Sequence, residues 1–368
     1  MADLLVGTRK GLFEIERQGG GYRLGAPSFL AVPVTAVLHD GRDGTTYAGL
    51  DHGHYGVKLQ RRDAGAGEWE ELAAPAYPPQ PEGTVDVDPN RRDEVPWTTQ
   101  MIWSLEAAHP HRPGALWAGT IPGGLFRSSD RGTTWELVRA LWDEPSRAQW
   151  MGGGFDHPGL HSVCVDPRSA EVVLVGISCG GTWRTEDDGA SWTVSTGMRA
   201  GFMPPDQAEN PVVQDPHRLA RCASAPDVVW CQHHSGVFRS TDGGATFSEI
   251  TDIEPSTFGF GVAAHPHDPD TAWLAPAIAD EARVPVDGRL VVTRTRDGGE
   301  SWEALGRGLP DRDAYHLVYR HALDVDANGE RLALASTTGS LWVSEDAGES
   351  WARVSADLPP IACVRWRS

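Results

Sequence analysis

The sequence contains almost no lysine: Lys10 and Lys58 are the only two in a chain of 368 residues. Lys and Arg together number 32 against 51 Asp and Glu, which gives a formal net charge of −19. So negative a chain repels phosphate backbones and anionic lipid, which argues against nucleic acid or a membrane as a partner. The preference for Arg, with abundant Ala, Gly and Pro, indicates a GC-rich bacterial genome.

Long apolar runs and clustered cysteines are missing as well. Runs such as residues 172–177 are too short to cross a bilayer, and residues 1–13 lack the features of a secretory signal. Five cysteines in a chain of this length do not make a disulfide framework. These absences predict a cytoplasmic protein in a reducing compartment.

An eight-residue motif, Ser/Thr-x-Asp-x-Gly-x-Ser/Thr-Trp/Phe, recurs roughly every 55 residues. Its five near-complete copies and one degenerate copy are Ser128–Trp135, Thr185–Trp192, Ser240–Phe247, Thr295–Trp302, Ser344–Trp351 and, less regular, Arg61–Trp69. Asp accepts hydrogen bonds within its own turn, Gly supplies a positive φ, and Trp packs between neighbouring sheets. The motif therefore predicts a structural hairpin turn, and it accounts for 15 Trp against 9 Phe and 6 Tyr.

Four short strands are predicted around each copy of the motif, which is typical of one propeller blade. In one unit they are Met101–Ala108, Ala115–Gly119, Gly124–Ser128 and Thr134–Val138, and the final unit is expected to begin with a strand at Leu317–Leu323. Residues 2–30 supply only three strands and residues 361–366 supply one, so we expect these segments to share a blade. The prediction is an all-β, seven-bladed β-propeller of four-stranded antiparallel blades, a single domain over residues 1–368 closed by its C-terminal strand.

The motif resembles the Asp-box, or bacterial neuraminidase repeat, along essentially the whole chain. Families with this repeat include sialidases, xyloglucan-active glycosidases, sortilin-type receptors and photosystem II assembly factors. The segments Asp156–Ser162, Asp215–Arg218 and Gln232–Gly236 are similar to a bacterial subgroup often labelled sialidase or glycosyl hydrolase. Sialidases need an arginine triad opened by an Arg-Ile-Pro segment, which this sequence lacks, so the sequence argues against a true sialidase.

The two faces of the predicted propeller differ in composition. The Asp turns share one face with two Ala-His-Pro-His segments, whose histidines, His109, His111, His265 and His267, we interpret as turn caps. The opposite face carries the long loops, which in compact folds are usually functional. Nine histidines are predicted on that face: His52, His54, His157, His161, His217, His233, His234, His316 and His321.

Convergent imidazoles predict a metal site on the loop-bearing face. His161, His217 and His234 are the expected ligands of a divalent metal such as Zn²⁺. Asp156 and Asp215 lie close by in sequence and are candidates to orient an imidazole.

Further residues of this face are assigned from their predicted positions. Catalytic roles are expected for Asp156, His157, His316 and Arg320. Substrate binding is expected for Arg9, His54, Trp150, Arg218, Arg283 and Tyr315. Arginines there can hold a carboxylate or phosphate bidentately, so the expected substrate is small and polar or anionic. No phosphate-cradling glycine loop follows a strand, which argues against a nucleotide cofactor.

Three functions remain open at this point. The first is a hydrolase or lyase with a His-rich, metal-binding pocket, for which Cys179 or Cys231 could alternatively supply a thiol nucleophile. The second is a glycosidase without metal, which needs two carboxylates at a fixed separation; the candidates are Asp51, Asp156, Asp280 and Glu281. The third is a non-catalytic propeller that binds a partner protein during assembly.

Overall fold

The computed structural model describes residues 3–367, so residue 2, where the predicted first blade begins, lies outside the described residues. Within this range, 28 strands form seven antiparallel sheets of four strands each. The predicted fold class, a seven-bladed β-propeller, is therefore confirmed. None of the helices in residues 3–367 is long and apolar enough to cross a membrane.

The strands are numbered in chain order, and each blade is a hairpin-connected sheet. Blade 1 contains β1 (Leu4–Thr8), β2 (Gly11–Gln18), β3 (Gly21–Leu24) and β28 (Ile361–Trp366). Blades 2 and 3 contain β4 (Val34–Asp40), β5 (Thr45–Asp51), β6 (Val57–Arg62), β7 (Glu70–Leu72), β8 (Met101–Ala107), β9 (Leu116–Ile121), β10 (Leu125–Ser128) and β11 (Glu136–Leu137). Blades 4 and 5 contain β12 (Leu160–Val165), β13 (Val173–Ile177), β14 (Gly181–Thr185), β15 (Thr193–Val194), β16 (Pro216–Arg221), β17 (Val229–His233), β18 (Gly236–Ser240) and β19 (Ser248–Ile250).

Blades 6 and 7 and the short helices complete the described chain. The two blades contain β20 (Gly259–Ala264), β21 (Ala272–Pro276), β22 (Val292–Thr295), β23 (Glu303–Leu305), β24 (Leu323–Val325), β25 (Leu332–Ala335), β26 (Leu341–Ser344) and β27 (Ala352–Ser355). One α-helix, α1 (Arg139–Trp142), and four 3₁₀ helices (Gly53–Tyr55, Pro145–Gln149, Pro211–Val213 and Val286–Gly288) lie in loops.

The ring closes through the C-terminal strand, as predicted. Strand β28 pairs antiparallel with β1, with Leu4 opposite Trp366 and Val6 opposite Val364. The innermost strand of every blade contacts the innermost strands of both neighbouring blades, including β28 with β4 and β24 with β28. Closure therefore gives the inner strand of every blade a neighbour on both sides, and the ring lacks the exposed ends of an open array of blades.

The Asp motif forms the turn that its sequence predicts. In the Asp297 copy, Oδ1 accepts hydrogen bonds from the Ser301 backbone N–H (2.9 Å) and the Thr295 hydroxyl (2.9 Å). Hydrogen bonds from Ser301 lower the pKa of Asp297 to about 2. Trp302 of this motif packs edge-on against Trp230 of the preceding blade, with ring centroids 6.0 Å apart. The motif is therefore structural in this protein.

In each histidine pair of the same face, the first imidazole caps its turn. Nδ1 of His109 accepts the His111 backbone N–H at 3.2 Å. Nδ1 of His265 accepts the His267 backbone N–H at 3.0 Å. The turn-cap interpretation therefore holds for His109 and His265, whereas Nε2 of His267 lies 2.8 Å from Ala327 O of the next blade.

A bulge near the start of the inner strands repeats from blade 1 to blade 6. The register of β28, β4, β8, β12, β16 and β20 shifts at this point. The residues in the bulges are Ala362, Thr35, Trp103, His161, His217 and, in the wider gap of β20, Phe260 and Gly261. A bulge re-aims side chains at the end of a sheet, so six neighbouring blades each place a bulge side chain near one end of the ring.

Blade 7 departs from this pattern, and the predicted strand Leu317–Leu323 is wrong. Strand β24 begins only at Leu323. Before it, the Ala322 N–H donates to Tyr319 O in a turn, and His321 forms a parallel bridge with Cys363 of β28. This turn replaces regular pairing with β25. As a result, Arg320, which precedes His321, lies among the bulge side chains of the other blades, over the rings of Trp103 and Phe260.

Candidate functional site

Three polar side chains meet at the start of blade 5, on the face opposite the Asp turns. Asp215 and His217 flank Pro216, the first residue of β16, and His234 directly follows β17. The two strands are antiparallel neighbours in which Pro216 pairs with His233. The His234 N–H also donates to Asp215 O at 3.0 Å. The local hairpin thus holds His234 beside the Asp-Pro-His segment.

The polar atoms of these side chains converge. Oδ2 of Asp215 lies 3.4 Å from Nε2 of His217 and 3.4 Å from Nδ1 of His234. All three atoms lie within 4.8 Å of one another. Asp215 and His217 are buried, whereas 24% of the His234 side chain is exposed. The cluster therefore reaches solvent on the His234 side.

The second carboxylate oxygen of Asp215 is held by blade 4. Oδ1 accepts hydrogen bonds from the Ser178 hydroxyl and the Cys179 backbone N–H, both at 3.0 Å. Burial by itself would raise the pKa of Asp215, but its polar surroundings, which include the positive charge of Arg320, outweigh this effect. The pKa lies well below its usual value, so Asp215 is an anion with Oδ2 directed at the imidazoles.

The partners of His217 define its tautomer. Nδ1 lies 2.6 Å from the Gly259 carbonyl oxygen, which can only accept, so Nδ1 carries the hydrogen. Burial lowers the pKa of His217 more than the neighbouring Asp215 raises it. The ring is therefore neutral at pH 7, and its Nε2 lone pair faces the Asp215 carboxylate. Two electron-pair donors facing each other are the arrangement that a cation binds.

Aromatic rings fix the orientation of both imidazoles. Phe260 stacks on His217 with centroids 4.4 Å apart and planes inclined by 14°. Phe258 contacts both imidazoles edge-on, and Phe202 lies 4.8 Å from His234. This apolar wall lowers the local dielectric, which strengthens electrostatic interactions within the cluster.

Arg320 lies beside the cluster without a polar partner. The residue is 6% exposed. Its guanidinium carbon lies 5.0 Å from the Trp103 ring centroid and 5.2 Å from that of Phe260. Its Nε has no hydrogen-bond partner, and no carboxylate of residues 3–367 lies within ion-pair distance of its guanidinium. Burial lowers the pKa of Arg320, and Asp215 counteracts this effect.

A glycine loop, Gly152–Gly154, covers both Asp215 and Arg320. A Cβ at Gly153 would lie 3.7 Å from Oδ2 of Asp215, and a Cβ at Gly154 would lie 3.9 and 4.0 Å from the two terminal nitrogens of Arg320. The Gly152 N–H donates to the buried Asp88 at 2.6 Å, which anchors the loop. A Cβ at Gly153 would also lie 2.8 Å from Sγ of Cys179, so the loop packs closely on blade 4 at this position, and room for a further group remains only at Gly154, beside the guanidinium.

Two of the three predicted metal ligands, His217 and His234, lie in the cluster, but His161 does not. Nε2 of His161 lies 2.8 Å from Pro216 O, and its Nδ1 lies 2.9 Å from the Ser162 hydroxyl. Both nitrogens are thus engaged within the wall between blades 4 and 5. The structure brings together two imidazoles and a carboxylate instead of the three imidazoles that the sequence predicted.

Other predicted catalytic residues lie apart from the cluster. Asp156 pairs with Arg91 at 2.9 Å and its side chain is 73% exposed, so it does not orient an imidazole. His316 is held in blade 7 by the Thr338 hydroxyl, 2.6 Å from its Nδ1. His157 is buried in the loop that follows Gly154, and its Nδ1 has no partner. Arg320 is the predicted catalytic residue that the structure places at the cluster.

The predicted substrate-binding residues are dispersed. Arg9 and Tyr315 are exposed. His54 is also exposed, and its ring centroid lies 4.0 Å from that of Tyr55 with the planes inclined by 40°. Arg283 pairs with Asp280 and lies 5.3 Å from the Phe260 ring centroid, which leaves it at the margin of the site.

Two further predicted binding residues belong to other parts of the fold. Arg218 lines the central channel with Glu106, Asp324 and Arg365. Trp150 is buried and lines a separate cavity of about 120 Å³. Neither side chain is part of the Asp215 cluster.

The alternative of a thiol nucleophile does not fit the structure. Burial raises the pKa of Cys231 and, together with the adjacent Asp215, that of Cys179, in both cases well above the ordinary value. A nucleophilic cysteine needs the opposite shift. Both thiols are therefore protonated packing groups.

Sequence reasoning assigned Asp215 only an orienting role and did not identify the Gly152–Gly154 loop as part of the site. The Asp-Pro-His spacing is a usable signal for Asp215, because residues two apart in an extended strand share a side. The loop could not be assigned, since its contact with Arg320 joins segments from blades 4 and 7.

Comparisons with known proteins relate the chain to glycoside hydrolases. No protein-family model matches it. An oligoxyloglucan-reducing end-specific xyloglucanase from Emericella nidulans is 25% identical over 279 residues, which are 69% of this chain and 32% of the relative. A xyloglucanase from a Paenibacillus species is 24% identical over 254 residues, 63% of this chain and 23% of the relative. The chain therefore spans no more than a third of either relative's length.

Solved structures share the fold at low identity. An ancestral GH74 enzyme has a TM-score of 0.58 and 15% identity, covering 90% of this chain and 38% of that one. YCF48 bound to D1 peptide has a TM-score of 0.53 and 15% identity, covering 88% of this chain and 82% of that one. One β-propeller fold thus serves proteins of different functions, and the structural likeness shows the fold alone.

Proposed function

We propose that this chain is a hydrolase that binds a divalent cation such as Zn²⁺ at the Asp215–His217–His234 cluster. The observation that supports the proposal is the convergence of three electron-pair donors within 4.8 Å. The remaining polar atoms of Asp215 and His217 already have partners. Burying a carboxylate and imidazole lone pairs that face one another, with no positive charge between them, costs free energy. A bound cation removes that cost.

The donor set fits such an ion. Two imidazole nitrogens and one carboxylate oxygen suit Zn²⁺ and other first-row metals. Ligands about 2.05 Å from a tetrahedral ion lie about 3.3 Å from one another. The observed separations of 3.4 Å from Asp215 to each histidine agree with this value. Gly259, through its carbonyl, and Ser178, through its hydroxyl, supply the outer hydrogen bonds that orient metal ligands.

The roles of the protein groups follow from their positions. When bound, Zn²⁺ supplies a Lewis acid and a water molecule of low pKa. Asp215 contributes the negative charge, and Gly259 keeps the Nε2 lone pair of His217 available. Phe258 and Phe260 exclude bulk water from one side. The partly exposed His234 marks the side from which a substrate enters.

Metal content of protein purified without a His tag or chelator tests this proposal. We expect about one equivalent of a transition metal by elemental analysis, and less than about a tenth in Asp215→Ala and His217→Ala. His316→Ala is the matched control, because it removes an imidazole of the same face outside the cluster. Wild-type protein that holds less than about a tenth of an equivalent, and regains none on reconstitution, contradicts the proposal.

A second candidate function, a glycosidase that needs no metal, is favoured by the similarity to xyloglucanases over 69% of the chain. Xyloglucan is a polysaccharide, so this candidate replaces the small substrate expected from the sequence with a larger one. Two carboxylates on the loop-bearing face are required. Asp156 and Asp280 lie there, each paired with an arginine.

Release of reducing ends from xyloglucan and its oligosaccharides, with and without EDTA, separates the two candidates. Hydrolysis that persists in EDTA and is lost in Asp156→Asn or Asp280→Asn supports the metal-free glycosidase. Hydrolysis that is lost in EDTA and in His217→Ala supports the metal-dependent hydrolase. Inactivity on a broad glycoside panel eliminates the glycosidase.

A further inference from the structure

We infer that Arg320 binds an oxyanion of the substrate, a carboxylate or a phosphate, in the space under the Gly152–Gly154 loop. The inference rests on the proposed function, in which the neighbouring Asp215–His217–His234 cluster binds a cation, and it adds the class of substrate. If Arg320 held an anionic group of the substrate, the substrate bond next to that group would lie beside the Asp215–His217–His234 cluster.

The first support is that Arg320 is buried without an acceptor. A guanidinium carries five N–H donors in a planar fork, which matches the two oxygens of a carboxylate or phosphate. The residue is 6% exposed, and its buried Nε has no hydrogen-bond partner. The rings of Trp103 and Phe260 offer cation–π contact but accept no conventional hydrogen bond. By contrast, Arg283, at the margin of the same site, pairs with Asp280.

The second support is the space left over the guanidinium. A Cβ at Gly154 would make only ordinary van der Waals contact with both terminal nitrogens of Arg320, at 3.9 and 4.0 Å. The same loop passes Oδ2 of Asp215 at Gly153. A Cβ at Gly153 would lie 2.8 Å from Sγ of Cys179, so the loop packs closely there, whereas Gly154 leaves room beside the fork of Arg320.

The third support is the local charge. Arg320 carries one positive charge, and Asp215 is the one carboxylate of the neighbouring cluster. A divalent cation at the cluster would make the site strongly positive within a protein of net charge −19. An anionic substrate balances that excess, whereas a neutral sugar does not.

Binding of inorganic phosphate and of acetate, measured separately by calorimetry on EDTA-treated protein and on Zn²⁺-loaded protein, tests the inference. We expect saturable binding of at least one of them by EDTA-treated wild type, at least ten-fold weaker in Arg320→Met and partly restored in Arg320→Lys. Arg312→Met is the control, since it removes a charge from the same face at a side chain that is 83% exposed.

Gly154→Ala provides a variant that leaves Arg320 in place. The added methyl group fills the space over the guanidinium without a clash, so we expect weaker anion binding at an unchanged melting temperature. Equal affinity in wild type, Arg320→Met and Gly154→Ala, or no anion binding by wild type, overturns the inference. Metal binding with no Arg320-dependent anion binding refutes this inference and leaves the proposed function standing. Anion binding without metal binding does the reverse.

Discussion

Three buried imidazoles predict that the protein loses stability between pH 6.5 and 5.5. Burial lowers the pKa of His161 and His321 well below the ordinary value and that of His233 to about 3. His233 illustrates the cause: both ring nitrogens face backbone N–H donors, from Asp215 and Ser235, at 3.0 Å. A neutral ring carries a hydrogen on one nitrogen and accepts one of these N–H groups at the other. A second proton would remove this remaining acceptor from a fully buried ring, so the ring stays neutral in the fold.

The sign and size of the effect follow from linkage. Each of these histidines has a folded pKa below its unfolded value of about 6.5, so the unfolded chain binds more protons as the pH falls. The stabilisation is present above pH 6.5 and is lost below it. From pH 6.5 to 5.5, each such histidine removes about 1 kcal/mol, so the three remove about 3 kcal/mol. The Asp turns contribute at lower pH, since the pKa of Asp297 is about 2.

Urea unfolding followed by tryptophan fluorescence at pH 7.5, 6.5 and 5.5 measures this loss. His233→Gln retains an acceptor but cannot titrate, so we expect its loss of unfolding free energy between pH 6.5 and 5.5 to be smaller by about 1 kcal/mol. His54→Gln is the control because His54 is exposed in a loop. A wild-type midpoint that does not change with pH, or an equal loss in wild type and His233→Gln, refutes the reasoning.

Three further predictions test the closure, the repeat and the cluster. Removal of residues 361–368 deletes β28 and its four buried side chains, Ile361, Cys363, Val364 and Trp366, worth roughly 8 kcal/mol; we expect insoluble protein, and an unchanged melting temperature would contradict the closure. Asp297→Ala should lower the melting temperature by a few degrees, whereas Glu300→Ala in the same turn should not; equal melting curves would show that the motif is dispensable. Zn²⁺ at about 100 times its Kd should raise the wild-type melting temperature by about 3 °C and leave Asp215→Asn unchanged; an equal rise in both would place the ion elsewhere.

The architecture was predictable because it repeats. The spacing of the Asp motif predicts the number of blades, and the surplus strand signals at the two ends predict which segments share a blade. The strand Met101–Ala108 was predicted to within one residue of the observed Met101–Ala107. The prediction failed at Leu317–Leu323, where an apolar segment typical of a strand turns at Tyr319–Ala322. There, contacts with β28 override the local strand propensity.

The site was predictable only in part, since its residues come from places where the repeat is interrupted. The sequence indicates the face on which the histidines lie but not their rotation, which a one-residue bulge decides. His161 and His217 occupy equivalent bulges, and each bonds the carbonyl that precedes the bulge of the next blade, at Pro216 and Gly259. The sequence does not show which nitrogen of each imidazole makes this bond.

The difference between those two histidines explains why the site lies in blade 5. His161 uses Nε2 for its inter-blade bond and Nδ1 for the Ser162 hydroxyl, so it has no nitrogen left. His217 uses Nδ1 for the same bond, and its Nε2 faces Asp215. A contact that holds the ring together in both blades thus leaves a free lone pair in one of them. The Asp215–His217–His234 cluster of blade 5 is completed by the carboxylate two residues before His217 and by the imidazole that directly follows β17.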